Sequence, residues 1–374
     1  MSPVLVRRLL VILLANLSTI ISAKKPPNIL FIMADDLGYN DLDWRDQTLH
    51  TPNLRTLAFH RNSVQLTNSY VNQLCTPTRS AFMTGYYPFR VGTQHDFSRS
   101  VEHFICSDLW HHALKRVVRG VDLFEELGSG YSTPVFDQNG VYSTDLFADA
   151  AMEVIEAHDT SKPFFLFLSF QAVHPPLQVP KQFDKYCSRI ISKSRRIYCG
   201  PSKRSQRMLT SMDFAIGRVI DFLKATENYE DTVIIFTSDN GGTSQFGASN
   251  YPLRGEKDTL WEGGTKTTTI VHAPKFIRLN GIRPGWVLNV LVYYFFHVVD
   301  WHATLLALAG LQIESYEDPG ENNDISRRHP RLVRRLRLKL LQLQKYMRKN
   351  VRKPVTLKGN PELHNGSYAS YWCT

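Results

Sequence analysis

The clearest pattern along the chain is a set of short apolar runs that each end in polar side chains. Asn28-Ile29-Leu30-Phe31-Ile32-Met33-Ala34 is unbroken and stops at Asp35-Asp36-Leu37-Gly38. An apolar run without alternation is what a strand covered on both faces requires. A second run, Phe164 to Phe170, ends near His174. A third, Thr232 to Thr237, ends in Ser238-Asp239-Asn240-Gly241-Gly242. Between these runs the period changes. Thr51-Pro52-Asn53 puts a proline in the first turn of a helix, and residues 205–226 repeat apolar positions at helical spacing. Strands alternating with helices predict an α/β domain, a doubly wound and mostly parallel sheet with helices on both faces. Ligands of such sheets bind at the carboxyl ends of the strands, where polar side chains gather here.

Asp35, Asp36, Asp239 and Asn240 therefore stand at the ends of two apolar strands. Oxygen-only ligands suit a hard cation, Ca²⁺ or Mg²⁺, and no His or Cys cluster has zinc-like spacing. Each aspartate alone reads rather as a turn or helix cap; it is the pairing at two equivalent strand ends that points to a metal. A further segment, Cys75-Thr76-Pro77-Thr78-Arg79-Ser80 followed by Thr84-Gly85, is ambiguous by itself. Its cysteine fits a buried thiol or half of a disulfide.

C-T-P-T-R-S followed by M-T-G closely resembles the sulfatase signature, in which the cysteine is oxidised to formylglycine in the endoplasmic reticulum. The resemblance extends to A-D-D-L-G-Y-N-D, H-T-P-N-L-R-T-L-A, A-V-H-P-P-L-Q-V-P, S-D-N-G-G, P-L-R-G-E-K and L-W-E-G-G, in order, over residues 26–95 and 141–310. It is strongest to the arylsulfatase B type, which includes N-acetylgalactosamine-4-sulfatases, with Thr78 standing where that family usually has Ser. The resemblance implies an alkaline-phosphatase/sulfatase-like fold and hydrolysis of sulfate esters, of sulfated sugars or aryl sulfates. It implies Ca²⁺ held by Asp35, Asp36, Asp239 and Asn240, with modified Cys75 completing the site. It also implies that Arg79 holds the formylglycine, that His174 and Lys257 contact the sulfate and the leaving oxygen, and that a formylglycine-generating enzyme acts during maturation. The chemistry of the residue types agrees. A hydrated aldehyde carries two geminal hydroxyls, one to attack sulfur and one, deprotonated, to expel sulfate again. A cation and a metal stabilise equatorial oxygens as they do in phosphoryl transfer. Histidine is a fitting general acid. Without the motifs, His174 would read as a loop histidine beside two prolines and Lys257 as a surface lysine.

Two regions depart from that family. After Gln94-His95 the family continues through a helix, a strand and a G-K-W-H-L-G motif whose lysine and histidine also contact the sulfate. Here Trp110-His111 echoes W-H, but Leu109 stands in the lysine's place. The expected consequences are slow turnover and a sheet that lacks a neighbouring strand. This leaves an alternative function, a catalytically weakened sulfatase-like protein that binds sulfated glycans. After Gly310 the family's small-sheet subdomain is largely missing. The chain thus reads as a signal peptide (1–23), a catalytic domain (26–311, incomplete around 96–140) and a basic tail (312–374).

The formal charge of +10 belongs to that tail. Residues 327–358 hold 13 Lys and Arg and no Asp or Glu, which leaves 31 basic against 34 acidic residues elsewhere. Leu332, Leu336, Leu340, Leu343 and Met347 form one apolar stripe on a tail helix. That helix either packs on the core with its charges outward or offers an anionic-glycan or membrane-surface patch. Nucleic acid is excluded as a partner by the secretory route. That route is read from Arg7 and Arg8, the apolar stretch Leu9 to Leu17 and Ser22-Ala23 before Lys24. The stretch is too short to span a bilayer, so the expected location is lysosomal or extracellular and not an integral membrane. In an oxidising compartment Cys187 and Cys199, among five cysteines, form the expected disulfide. Asn365-Gly366-Ser367 is the expected glycan acceptor.

Overall fold

The computed structural model describes residues 25–94, 123–126, 132–138, 140–175, 177, 204–276 and 296–310. The expected signal peptide, Cys106, Leu109 to His111, Cys187, Cys199, the basic tail, Asn365 and Cys373 lie outside the described residues.

The strands are β1 (Asn28–Ala34), β2 (Ser63–Tyr70), β3 (Phe124–Glu126), β4 (Ser132–Pro134), β5 (Phe165–Ser169), β6 (Thr232–Ser238), β7 (Lys266–His272) and β8 (Phe296–His297). Helices are α1 (Pro52–Ala58), α2 (Cys75–Thr84), α3 (Pro88–Val91), α4 (Ser143–Ala157), α5 (Arg204–Ala225), α6 (Glu262–Thr265) and α7 (Asp300–Leu308). Six strands make one sheet in the order β5-β1-β6-β7-β2-β8, and β3 and β4 pair as a separate hairpin. β1 is parallel to both β5 and β6, β2 is parallel to β8, and β7 runs antiparallel to β6 and β2. The sheet is therefore mixed but mostly parallel, as the alternation of strands and helices predicts.

Every residue of β1 is buried, and its side chains alternate between two cores. Leu30, Ile32 and Ala34 pack with Leu54 of α1, Ala148 and Ile155 of α4, and Met212, Ile216 and Leu223 of α5. Ile29, Phe31 and Met33 pack on the other face with Phe82 of α2 and Trp301 and Leu308 of α7. Phe31 lies 4.5 Å from the Phe82 ring and meets Trp301 edge-on at 5.3 Å. Truncating such a buried ring typically costs about 3–5 kcal/mol.

The polar strands escaped the sequence reading for a physical reason. β2 and β7 are rich in Ser and Thr, some of whose hydroxyls pair across the sheet. Ser69 Oγ and Thr269 Oγ1 are 2.8 Å apart, and Thr269 Oγ1 is 3.0 Å from Thr237 Oγ1. Among the described residues β5 is an outer strand, and Phe165 on it is 55% exposed.

Candidate active site

The carboxyl ends of β1, β5 and β6 converge on the N-terminus of α2. Asp35 and Asp36 leave β1, Asp239 and Asn240 leave β6, and Cys75 is the first residue of α2. Ligand atoms of Asp35, Asp36, Cys75 and Asp239 all lie within 4.8 Å of one another. Cys75 is a free thiol, 3.5 Å from Asp35 Oδ1 and 4.0 Å from Asp36 Oδ1. The first-turn N–H groups of α2 have no partner within the helix and add partial positive charge on this side of the site.

Arg79 lies one turn further along α2. Its Nε donates to Asp239 Oδ2 at 3.0 Å, and one Nη reaches Asp35 Oδ2 at 3.1 Å and Asp239 Oδ2 at 2.8 Å. The other Nη donates to Ser169 Oγ, at the end of β5, at 2.5 Å. A planar fork of donors thus ties three strand ends to one helix. Thr78, the departure from the family's Ser, uses only its hydroxyl. It accepts from Asn72 N–H at 2.8 Å and donates to Asn72 C=O at 3.2 Å.

Lys257 enters from the loop between β6 and β7. Its Nζ is 2.8 Å and 3.0 Å from the two Asp36 oxygens and donates to Cys75 Sγ at 3.4 Å. Glycines make that approach possible. A Cβ on Gly241 would lie 1.8 Å from Gly263 C=O, so the Asp-Asn-Gly-Gly and Glu-Gly-Gly segments can touch only as bare backbone. Their contact is a bond from Gly241 N–H to Gly264 C=O at 3.0 Å. His174 follows β5. Its Nδ1 meets Pro175 C=O at 2.5 Å, and its Nε2 stands 3.7 Å from Asp36 Oδ2.

Asp36 has a φ of 57°, in the left-handed region a non-glycine residue rarely takes. Asp239 Oδ1 holds it there by accepting Asp36 N–H at 3.2 Å, and Ser238 Oγ accepts Leu37 N–H at 3.2 Å.

The electrostatics follow from burial. Desolvation opposes ionisation of Asp35, but Arg79, His174 and Lys257 outweigh it and hold that carboxyl below its usual range. Burial, and then the Asp35 charge, push Asp36 up. Burial and Asp35 also push Asp239 up to about 7. Burial and the three carboxylates raise the Cys75 thiol well above its ordinary value, so as a thiol it is a poor nucleophile. Burial disfavours charge on His174, but Asp35 and Asp36 outweigh it and raise its pKa. Lys257 is likewise raised despite its burial by Cys75 and the carboxylates, so it stays a cation.

The donor set fits a hard dication. Asn240 Nδ2 donates to Asp36 Oδ1 at 2.6 Å, whereas Asn240 Oδ1 is buried without a partner. A buried carbonyl oxygen facing nothing is costly, and a cation satisfies it. Three carboxylates against the charges of Arg79, Lys257 and a protonated His174 leave the site close to neutral. A dication would make it net positive.

All eight residues singled out from the sequence thus fall in one place: Asp35, Asp36, Cys75, Arg79, His174, Asp239, Asn240 and Lys257. The sequence reading missed Ser169, the third anchor of Arg79. The only signal for it was a hydroxyl at the carboxyl end of an apolar parallel strand.

Comparison with known proteins identifies the family. The sulfatase family model matches residues 27–311. The chain is 34% identical to mouse arylsulfatase J over 77% of its own length and 53% of that protein's. It is 27% identical to pig N-acetylgalactosamine-6-sulfatase, over 81% of this chain and 66% of the relative. The crystal structure of Ps i-CgsB in complex with k-i-k-neocarrahexaose superposes with a TM-score of 0.63 at 22% identity, over 91% of this chain and 98% of that one. This α/β protein with an acidic, arginine-braced pocket belongs to the sulfatase family, a family of sulfuric ester hydrolases. It spans about half the length of arylsulfatase J and two thirds of N-acetylgalactosamine-6-sulfatase.

Proposed function

We propose that the chain hydrolyses sulfate esters with a formylglycine made from Cys75 and a calcium ion held by Asp35, Asp36, Asp239 and Asn240. The observation that carries this reading is the convergence of Cys75 Sγ and three carboxylates on one spot, with Asn240 bonded to Asp36 beside them and the Lys257 cation 3.4 Å from the sulfur. When bound, the calcium supplies Lewis-acid polarisation of the sulfate oxygens, and the oxidised residue 75 supplies the geminal hydroxyls that a thiol lacks. The protein's own groups do the rest. Lys257 binds the anionic group and opposes the charge that builds on it. Arg79 keeps Asp35 and Asp239 aimed at the centre. His174, fixed through Nδ1, holds a proton at Nε2 for the leaving oxygen.

The motif pattern favours a substrate of the arylsulfatase B type, a sulfated N-acetylgalactosamine unit of a glycan, in a lysosomal or extracellular setting. Leu109 stands in the place of the lysine of the family's K-W-H motif, so turnover should be slow unless Lys115 or a tail lysine replaces it. Losing one positioned cation commonly costs several kcal/mol of barrier, on the order of 100-fold or more in rate. The test is hydrolysis of a chromogenic aryl sulfate by protein purified from a eukaryotic secretory host, with Cys75→Ala as the blank. Turnover well above the blank, yet below that of a full-length relative, is expected. A rate equal to the blank would refute the hydrolytic reading.

A further inference from the structure

Lys257 reaches the site from a compact loop whose other side faces solvent. Gly263 N–H bonds Arg254 C=O at 2.7 Å and closes the loop, and Asp258 N–H bonds Gln73 C=O at 3.0 Å, two residues before Cys75. The loop is therefore pinned against the segment that presents the nucleophile. Its outer side carries Leu260, 81% exposed, and Trp261, 51% exposed. Two adjacent large apolar residues left in water beside an active site mark a contact surface. The Arg254 guanidinium stacks on the Trp261 ring with its carbon 3.7 Å from the ring centroid. Arg254 is itself exposed, and among the described residues no carboxylate pairs with it. Two of the neighbouring acids are engaged elsewhere. Glu256 accepts Ser244 N–H at 2.6 Å, while Glu262 accepts the Tyr70 hydroxyl at 2.7 Å and stands 3.8 Å from Lys266 Nζ.

We propose that Arg254, Leu260 and Trp261 form a subsite for a second, anionic sugar unit, so that the ligand is a sulfated oligosaccharide and not an isolated sulfate monoester. An aromatic ring and an aliphatic side chain offer an apolar face to the C–H side of a pyranose. The stacked guanidinium offers paired N–H donors to a sulfate or carboxylate on that unit. The position of the first unit rests on the hydrolytic reading above, but binding by this surface does not require turnover.

The test uses calcium-loaded chain carrying Cys75→Ala, which removes catalysis. Binding of a chondroitin sulfate tetrasaccharide and of N-acetylgalactosamine 4-sulfate is measured by calorimetry. The tetrasaccharide should bind at least about tenfold more tightly. Trp261→Ala and Arg254→Ala should each erase most of that advantage, and added salt should weaken it. Leu260→Asp, at a position too exposed to disturb folding, should do the same by placing a like charge against the ligand. Equal affinity for the two ligands would overturn the proposal. So would substitutions that lower the melting temperature but leave the ratio unchanged, which would make the stacked pair structural only. A missing advantage in a protein that turns over aryl sulfates sinks the subsite alone. A preserved advantage in a protein with no turnover sinks the hydrolytic reading alone.

Discussion

Replacing Arg79 with alanine should destabilise the metal-free protein severely, and calcium should restore part of the loss. The guanidinium lies within 3.1 Å of Asp35 and Asp239, both of which are fully buried. Removing one partner of a buried ion pair leaves the other charge desolvated and typically costs about 3–5 kcal/mol. For a domain of this size each kcal/mol moves the melting point by about 2–4 °C, so a drop on the order of 10 °C is expected. A dication between the same carboxylates supplies part of the missing charge, so the loss should shrink in millimolar calcium. Arg79→Lys should fall between the two, since one ammonium cannot span Asp35, Asp239 and Ser169 together. Thermal melts of the three proteins in chelator and in calcium measure this directly. If Arg79→Ala melts within 2 °C of the parent in chelator, the guanidinium does not offset these carboxylates and the account of the site is wrong.

Asp239→Ala should abolish calcium binding in a calorimeter, and stoichiometric zinc with no alkaline-earth ion in the native protein would contradict the donor-set argument. Lys257→Met should lower kcat on an aryl sulfate by about 100- to 1000-fold, and a change under threefold would remove it from the chemistry. Asp213, buried on α5, titrates at about 7, raised chiefly by burial against the pull of the Asn53 and Leu54 N–H groups it caps. Unfolded, it titrates near 3.9. The native state then holds a proton that the unfolded chain lacks, so stability falls as pH rises from about 4 through 7, by up to about 4 kcal/mol. Asp213→Asn should lack this component in urea unfolding measured at pH 5 and pH 8, and identical slopes for the two proteins would refute it.

The central fold was legible because β1, β5 and β6 are apolar runs, and both faces of β1 pack against helices. β7 was not legible. Lys266-Thr267-Thr268-Thr269 looks like a solvent-facing stretch, yet its hydroxyls are buried, those of Thr267 and Thr269 satisfied by neighbouring strands and that of Thr268 by Arg45. The metal-type residues stood out because an Asp-Asp and an Asp-Asn pair end two apolar strands, a recurrence that single turns or caps do not explain. His174 and Lys257 became recognisable only through the motifs around them, since a lone histidine or lysine in a loop carries no pattern. Asp213 was hidden for a different reason. On a helix with polar spacing it reads as an outward charge, whereas it caps α1 from 159 residues away in sequence. Pairings across that distance leave no local trace.

The account turns on residue 75, where a partly buried thiol surrounded by carboxylates makes sense as the precursor of a different nucleophile. The most direct measurement is the mass of the tryptic peptide that ends at Arg79, prepared from protein secreted by a eukaryotic host. Conversion of Cys75 to formylglycine should lower that mass by about 18 Da relative to the thiol form. A peptide found only as thiol or disulfide would contradict the proposed mechanism.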